Sequence, residues 1–540
     1  MSFRNRLSFV LPVLVMSLVP AAWGQHEQHK HGGPGEKLGH VHFPVSCNEA
    51  AQKQFVRAVA LLHSFWYEEA EKTFSAVTQA DSTCAMGYWG IAMSLYHPLW
   101  EAPNAAALQK GWDAVEKAKA ANPKTARERD YIAAIEAYYK DYDKRDPRTR
   151  ALSYEKAMEQ VYLRNPDDRE AAVFYALSLL GTAPPTDKTY ANQKKAAAIL
   201  DKVFAVEPEH PGVAHYFIHA YDSPALAHLA LDAARRYSKI APDSPHALHM
   251  PSHIFTRLGL WQESIASNLA SAAAARKHGA VGDDLHALDY LMYAYLQGAQ
   301  DREAEKILQG IPVMTTATST HFAGLYATAA LPARYAVERR RWSEAASLTL
   351  RPGILSGGRY SWTEANIHFA RALGCARSGD IAGAKKGLQK LEELRDTLAQ
   401  AKEKYWADQV EVQRRAAAAW VARAEGKSDE ALALVRSAAD LEDANEKHPV
   451  TPGPILPARE LLGDLLLELS QPANALREYE TSLQTAPNRF NSLYGAARSA
   501  ELSGQRERAR SYYAKLVEVS NLASGDRPEL RQARTLLASK

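Results

Sequence analysis

The sequence predicts an all-α solenoid of stacked helical hairpins, and three observations predict it. From about Cys47 onward apolar residues recur at i, i+3 and i+4 in stretches rich in Ala, Leu, Glu, Arg and Lys, the pattern of amphipathic helices. No run of alternating β-branched residues is long enough to make a strand. Landmarks return at a spacing of 34 residues: Pro208 and Pro242, Ala475 and Ala509, and the pairs His215/His219 and His249/His253. A lone hairpin cannot bury its apolar face, so equal units in a row must share one continuous core.

The chain opens with a positive region (Arg4, Arg6), an apolar stretch from Leu7 to Val19, and Ala22-Trp23-Gly24 before Gln25. Residues 1–24 thus read as a secretory signal peptide, too short for a membrane anchor, and the expected location is periplasmic or secreted. No cysteine stands at the cleavage point, which argues against a lipoprotein, and no later stretch is apolar for long enough to span a bilayer. The full chain of 540 residues carries a formal charge of +3; Arg4 and Arg6 leave with the leader and no acid does, so the balance falls to +1. That near-neutral charge argues against nucleic acid as a partner. Residues 25–46 are polar and bear His26, His29, His31, His40 and His42; they read as a flexible segment that could capture Cu, Zn or Ni loosely.

The array follows in two parts, residues 47–300 and residues 301–540, with ten or eleven hairpins in all. Each unit needs a small residue where its helices cross, an aromatic beside the turn and a break after the second helix. Ala70, Ala345, Ala384 and Ala509 take the crossing position, and Tyr67, Trp261 and Trp342 stand beside turns. Pro166 to Pro208 spans 42 residues, one unit plus an insertion around Ala183-Pro184-Pro185-Thr186. Irregular loops are expected near 141–150, 351–362 and 445–457. Of the three cysteines, Cys47 and Cys84 flank the starts of neighbouring first helices and either pair or stay as buried thiols; Cys375 reads as a small core residue.

These turns and crossing residues resemble the tetratricopeptide-repeat superfamily over nearly all of residues 48–535. The stretches HALHMPSHIFTRLGLW (246–261) and CAMGYWGIAMSLYHPLW (84–100) are also similar to large exported bacterial proteins of that class. The resemblance implies a right-handed superhelical solenoid whose concave groove binds a protein, peptide or small ligand. It brings no activity with it.

His215 and His219 fall at the fifth and ninth positions of their first helix, and so do His249 and His253 one unit later. Residues i and i+4 share a helix face, and a His pair at that spacing is a common helical ligand for zinc or copper. In the resembled superfamily these positions line the groove. Aligning the next unit on Ala304 places Asp289 fifth and Tyr293 ninth, with His286 one turn before Asp289; His246 lies one turn before His249, and Tyr221 and Asp222 follow His219. The expected groove residues are therefore His215, His219, His246, His249, His253, His286, Asp289 and Tyr293. The expected metal ligands are His215, His219, His249 and His253 with Asp289, or His286 in its place, converging on one ion. Contact with an organic ligand, or a purely structural role in bridging helices, fits the same spacing.

There is no HExxH, Walker loop, GxGxxG or GxSxG motif, so catalysis draws no support. The leading expectation is an exported scaffold, and the rival is a periplasmic transition-metal-binding protein or metal-dependent enzyme. Trp66, Tyr67, Trp89, Tyr96, Trp100 and Trp112 read as packing residues, with His63 and His97 beside them and no pattern to assign either. Glu364 and His368 share a helix face without further signal, and Arg339 to Arg341 read as a solvated helix end.

Overall fold

The computed structural model describes residues 36–314, 322–350 and 357–539. The leader segment 1–24 and His26, His29 and His31 lie outside them. Among the described residues there are 26 α-helices, two short 3₁₀ turns and no strand, and the helices pair in chain order into twelve hairpins closed by Pro528–Ala538. The count exceeds the expected ten or eleven because short second helices, such as Trp342–Ala346, still make a unit. No helix among these residues is long and apolar enough to cross a membrane. The architecture is an all-α array of helical hairpins, as the repeat spacing implies.

The crossing alanines do what the pattern requires. Ala70, Ala230, Ala304, Ala345, Ala384, Ala475 and Ala509 are all buried, because two helices approach closely only where the side chain is small. The largest apolar cluster runs from Leu38 to Ala533 and takes in residues of both halves of the array. Cys47 and Cys84 are joined by a disulfide that ties the first two hairpins, and Cys375 is a buried free thiol.

Two segments depart from expectation. Residues 36–46 are not free: Phe43 is buried among Phe55, Trp89, Tyr131 and Phe174, which belong to the first helices of the first four hairpins. His40 N–H donates to the Glu209 carbonyl at 3.0 Å, and Lys37 N–H to Asp243 at 2.8 Å. Polar composition suggested flexibility, yet one phenylalanine and a few backbone bonds are enough to seat the segment. Arg340 is no solvated helix end either. It makes two bonds of 2.9 Å to Asp464, since its turn packs against the eleventh hairpin.

The loop at 445–457 decides what happens to the histidines. It leaves the tenth hairpin and crosses back to the fourth to eighth units. Glu446 N–H donates to the Pro185 carbonyl at 2.9 Å, and Tyr190 donates to the Glu446 carboxylate at 2.7 Å. Lys447 bonds Asp222 at 2.7 Å, Tyr290 donates to the Thr451 carbonyl at 3.0 Å, and Arg334 donates to the Pro454 carbonyl at 2.6 Å. This strap lies over the histidine-bearing helices.

Candidate metal centre

The two His pairs sit in register because their helices start alike. Pro211 and Pro245 open the helices Pro211–Tyr221 and Pro245–His249, each preceded by a side-chain cap: His210 Nδ1 accepts from Val213 N–H, and the Ser244 hydroxyl accepts from Ala247 N–H. Proline at the first helical position lacks only an N–H that would have had no partner there. In the second unit Pro251 interrupts the helix, and Pro251–Arg257 carries His253. The turn geometry survives the break: His249 and His253 face each other with Nε2 atoms 3.0 Å apart, and His215 and His219 do so at 3.1 Å.

The six histidines form two groups, not one. His215, His219 and His246 make the first, and His249, His253 and His286 the second; within each group the donor atoms lie within 4.8 Å of one another. The groups adjoin, with ring centroids 5.9 Å apart for both His219/His253 and His246/His249. Convergence of four imidazoles and Asp289 on a single ion is therefore not what the fold provides. Asp289 is buried but faces the Arg334 guanidinium at 3.6 Å, and Tyr293 accepts from Arg489 at 2.9 Å. The unit's own first helix, Val281–Gln297, runs 17 residues where Pro211–Tyr221 has 11, so counting back from Ala304 lands a turn past the residue that meets the other histidines. His286 takes the position toward the histidines instead.

Nor is this an open groove. His215, His246, His249, His253, His286, Asp289 and Tyr293 are buried, and His219 alone is half-buried. Phe65 stacks on His219 and His246, Trp100 meets His246 edge-on, and Tyr237 stacks on His215. Burial disfavours the charged imidazole. It pulls His215 down to about 3 and holds His219, His246 and His249 well below the usual histidine range. His253 is lowered by the same desolvation, which the Asp222 carboxylate partly opposes.

The partners on the far side of each ring fix the tautomers. His215 Nδ1–H donates to the His63 carbonyl at 2.7 Å. His253 Nδ1–H donates to Asp222 at 2.9 Å. His249 Nδ1–H donates to Asn268 Oδ1 at 2.6 Å, and Asn268 is oriented by its own NH2 donating to the Ser264 carbonyl at 2.8 Å. With each Nδ1 proton committed, the Nε2 atoms of neutral His249 and His253 are both bare, and their lone pairs confront each other at 3.0 Å. A cation between them removes that conflict. Two nitrogens on one ion at about 2.0–2.1 Å stand roughly 2.9–3.4 Å apart for angles from square to tetrahedral, and both observed pairs fall in that range. His246 adds a second sign: both its ring nitrogens are buried without a hydrogen-bond partner, a costly state for a polar group.

A third group, His63, Glu170 and His210, is satisfied internally. Glu170 accepts from His63 Nε2–H at 2.8 Å and His210 Nε2–H at 3.0 Å, while Tyr216 donates to His63 Nδ1 at 2.9 Å. Gly212 admits this packing; a Cβ there would lie 2.7 Å from His63 Nδ1. The cluster anchors the residue whose carbonyl orients His215, so its role is to position. Sequence reasoning assigned no role to His63, His210, Glu170 or Asn268, and no spacing pattern points to them. Asp222 stood beside His219 in the sequence, but its bond is to His253 in the next unit. Lys447 and Arg257 also hold it, at 2.7 and 2.8 Å, and these cations keep its carboxyl well below the usual range against the cost of burial.

Two cavities adjoin the centre. A small one of about 120 Å³ is lined by His219, Asp222, Tyr190, Glu446 and Lys447. A chamber of about 450 Å³ shares the last three of these residues and is walled by Tyr326, Trp362, Phe369, Tyr405 and Trp406.

No protein-family model matches the chain, and no curated protein matches it. The solved structures it aligns with include the following three. A Naa15/Naa10 complex bound to HypK-THB is 14% identical with a TM-score of 0.23, over 86% of this chain and 63% of that one, so this chain spans less than two thirds of that protein's length. A tetratricopeptide repeat protein from Parabacteroides merdae is 11% identical with a TM-score of 0.23, covering 76% of this chain and 98% of that one. The Cut9-Hcn1 hetero-tetramer of the APC/C is 11% identical with a TM-score of 0.29, over 91% and 96% of the two chains.

Proposed function

We propose that this protein binds transition-metal ions through two adjoining tris-histidine sites, His215/His219/His246 and His249/His253/His286. The observation that carries this reading is the pair of bare Nε2 atoms on His249 and His253, 3.0 Å apart, whose protons are fixed elsewhere by Asn268 and Asp222. Metal-ligating histidines are oriented in this way, by a carboxylate or carbonyl on the other ring nitrogen. Neutral imidazole suits zinc, copper, iron or nickel, and burial keeps the rings neutral. The leader segment at residues 1–24 supports an exported protein, periplasmic or secreted.

A second reading concerns what the metal serves. The aromatic chamber, separated from the centre by Glu446 and Lys447, has the volume and lining of a small-molecule site. It favours a metal-dependent enzyme or ligand-binding protein over a scaffold whose groove receives a peptide at the histidines, because the strap already covers the helices concerned.

Metal content of protein purified without a histidine tag tests the proposal. Deleting residues 25–35 removes His26, His29 and His31 while keeping Leu38 and Phe43 in the core. We expect bound metal in that protein, and loss of it in a His219→Ala/His253→Ala double variant whose circular dichroism is unchanged. A chain that stays metal-free when offered copper, zinc, nickel and iron refutes it.

A further inference from the structure

The donor sets say which ion and how many. Each triad supplies three neutral nitrogens, and neither group includes a carboxylate or a cysteine. The carboxylates nearby are engaged: Asp222 lies on the far side of the His253 ring with Lys447 and Arg257, and Asp289 faces Arg334. Glu446 is matched by Lys188 at 2.7 Å. The region therefore holds no surplus negative charge. The cost of burying an ion rises with the square of its charge, so a divalent ion in each triad would be costly unless it brought anions with it. Zinc also wants a fourth ligand, whereas a cuprous ion is content with three nitrogens.

The number follows from the spacing. A single ion gathering all six nitrogens would hold even opposite donors about 4.1 Å apart at usual bond lengths, which would place all six within one group. They fall instead into two groups of three, with the donor atoms of each within 4.8 Å of one another.

We propose that the wall holds a pair of cuprous ions, one in each triad, three-coordinate and side by side. This rests on the reading of the histidines as a metal centre and goes beyond it in ion, oxidation state and stoichiometry.

The test is anaerobic titration of the untagged chain lacking residues 25–35 with Cu(I) in the presence of bicinchoninate, alongside a parallel titration with Zn(II). We expect the protein to withhold two cuprous ions per chain from the chelator, and X-ray absorption of the loaded protein to show three nitrogen neighbours and no fourth ligand. His215→Ala and His249→Ala should each retain one ion, halving the stoichiometry. One ion per wild-type chain overturns the pair. Tight zinc binding with no cuprous binding overturns the choice of ion while leaving the metal centre standing, and binding of neither metal removes both. The wild-type stoichiometry and spectrum decide the matter even if a variant fails to fold.

Discussion

Asn268 shows how much of the proposed centre rests on a residue outside its two histidine groups. Its amide is locked by the Ser264 carbonyl, so Oδ1 must face His249 and keep the proton on Nδ1. Asn268→Leu should free that tautomer and weaken metal affinity roughly 10- to 100-fold, while the fold persists; competition with a chelator measures it. The buried rings also set the acid limit of the metal-free protein. Unfolded histidine takes a proton below about 6.5, but folded His215 refuses it until about 3. Stability is thus full above about pH 6.5 and falls with pH across that window, by about 1.4 kcal/mol per unit for this residue alone. Circular dichroism against pH should show early acid unfolding, and no loss between pH 7 and 8 from these groups.

At the scale of elements, the array depends on how its hairpins are started and tied. Capped prolines at 211 and 245 place a histidine at the fifth and ninth positions of each first helix. The Cys47–Cys84 disulfide closes a loop with a sequence separation of 37. Constraint of the unfolded chain by such a loop is worth about 4 kcal/mol in the entropic account. Reduction, or a Cys47→Ser/Cys84→Ser double substitution, should lower the melting temperature measurably. Metal stoichiometry should stay the same, since the bridge joins the first two hairpins and the histidine pairs belong to the fifth and sixth.

Across the whole molecule, the parts of the array distant in sequence are knitted by buried charge. Arg489 is fully buried between Glu338 and Glu460, at 2.8 and 3.1 Å, and donates to Tyr293 as well. Removing the cation strands two carboxylates out of water, so Arg489→Met should cost about 3–5 kcal/mol. Because the pair is shielded from solvent, added salt should not reproduce the loss; denaturant unfolding at low and high ionic strength checks both points. The strap carries the same theme to the centre. Residues 446–454 bind Pro185, Tyr190, Asp222, Tyr290 and Arg334, so the wall is sealed by a segment from the other half of the array.

Helical periodicity, the spacing of 34 residues, the crossing alanines and the imidazole pairs are local properties, and they appear in the chain as written. A helix face follows from residue spacing, and a repeat from its own period; neither needs knowledge of what lies across the core. Which pair each remaining histidine joins could not be read that way. His246 packs with the first pair and His286 with the second, and the longer first helix Val281–Gln297 leaves Asp289 turned to Arg334. Asn268, the His63 carbonyl and the covering strap come from elements brought together only by packing. Burial, tautomer and access depend on those distant neighbours, so folding in three dimensions turned an expected open groove into a closed centre.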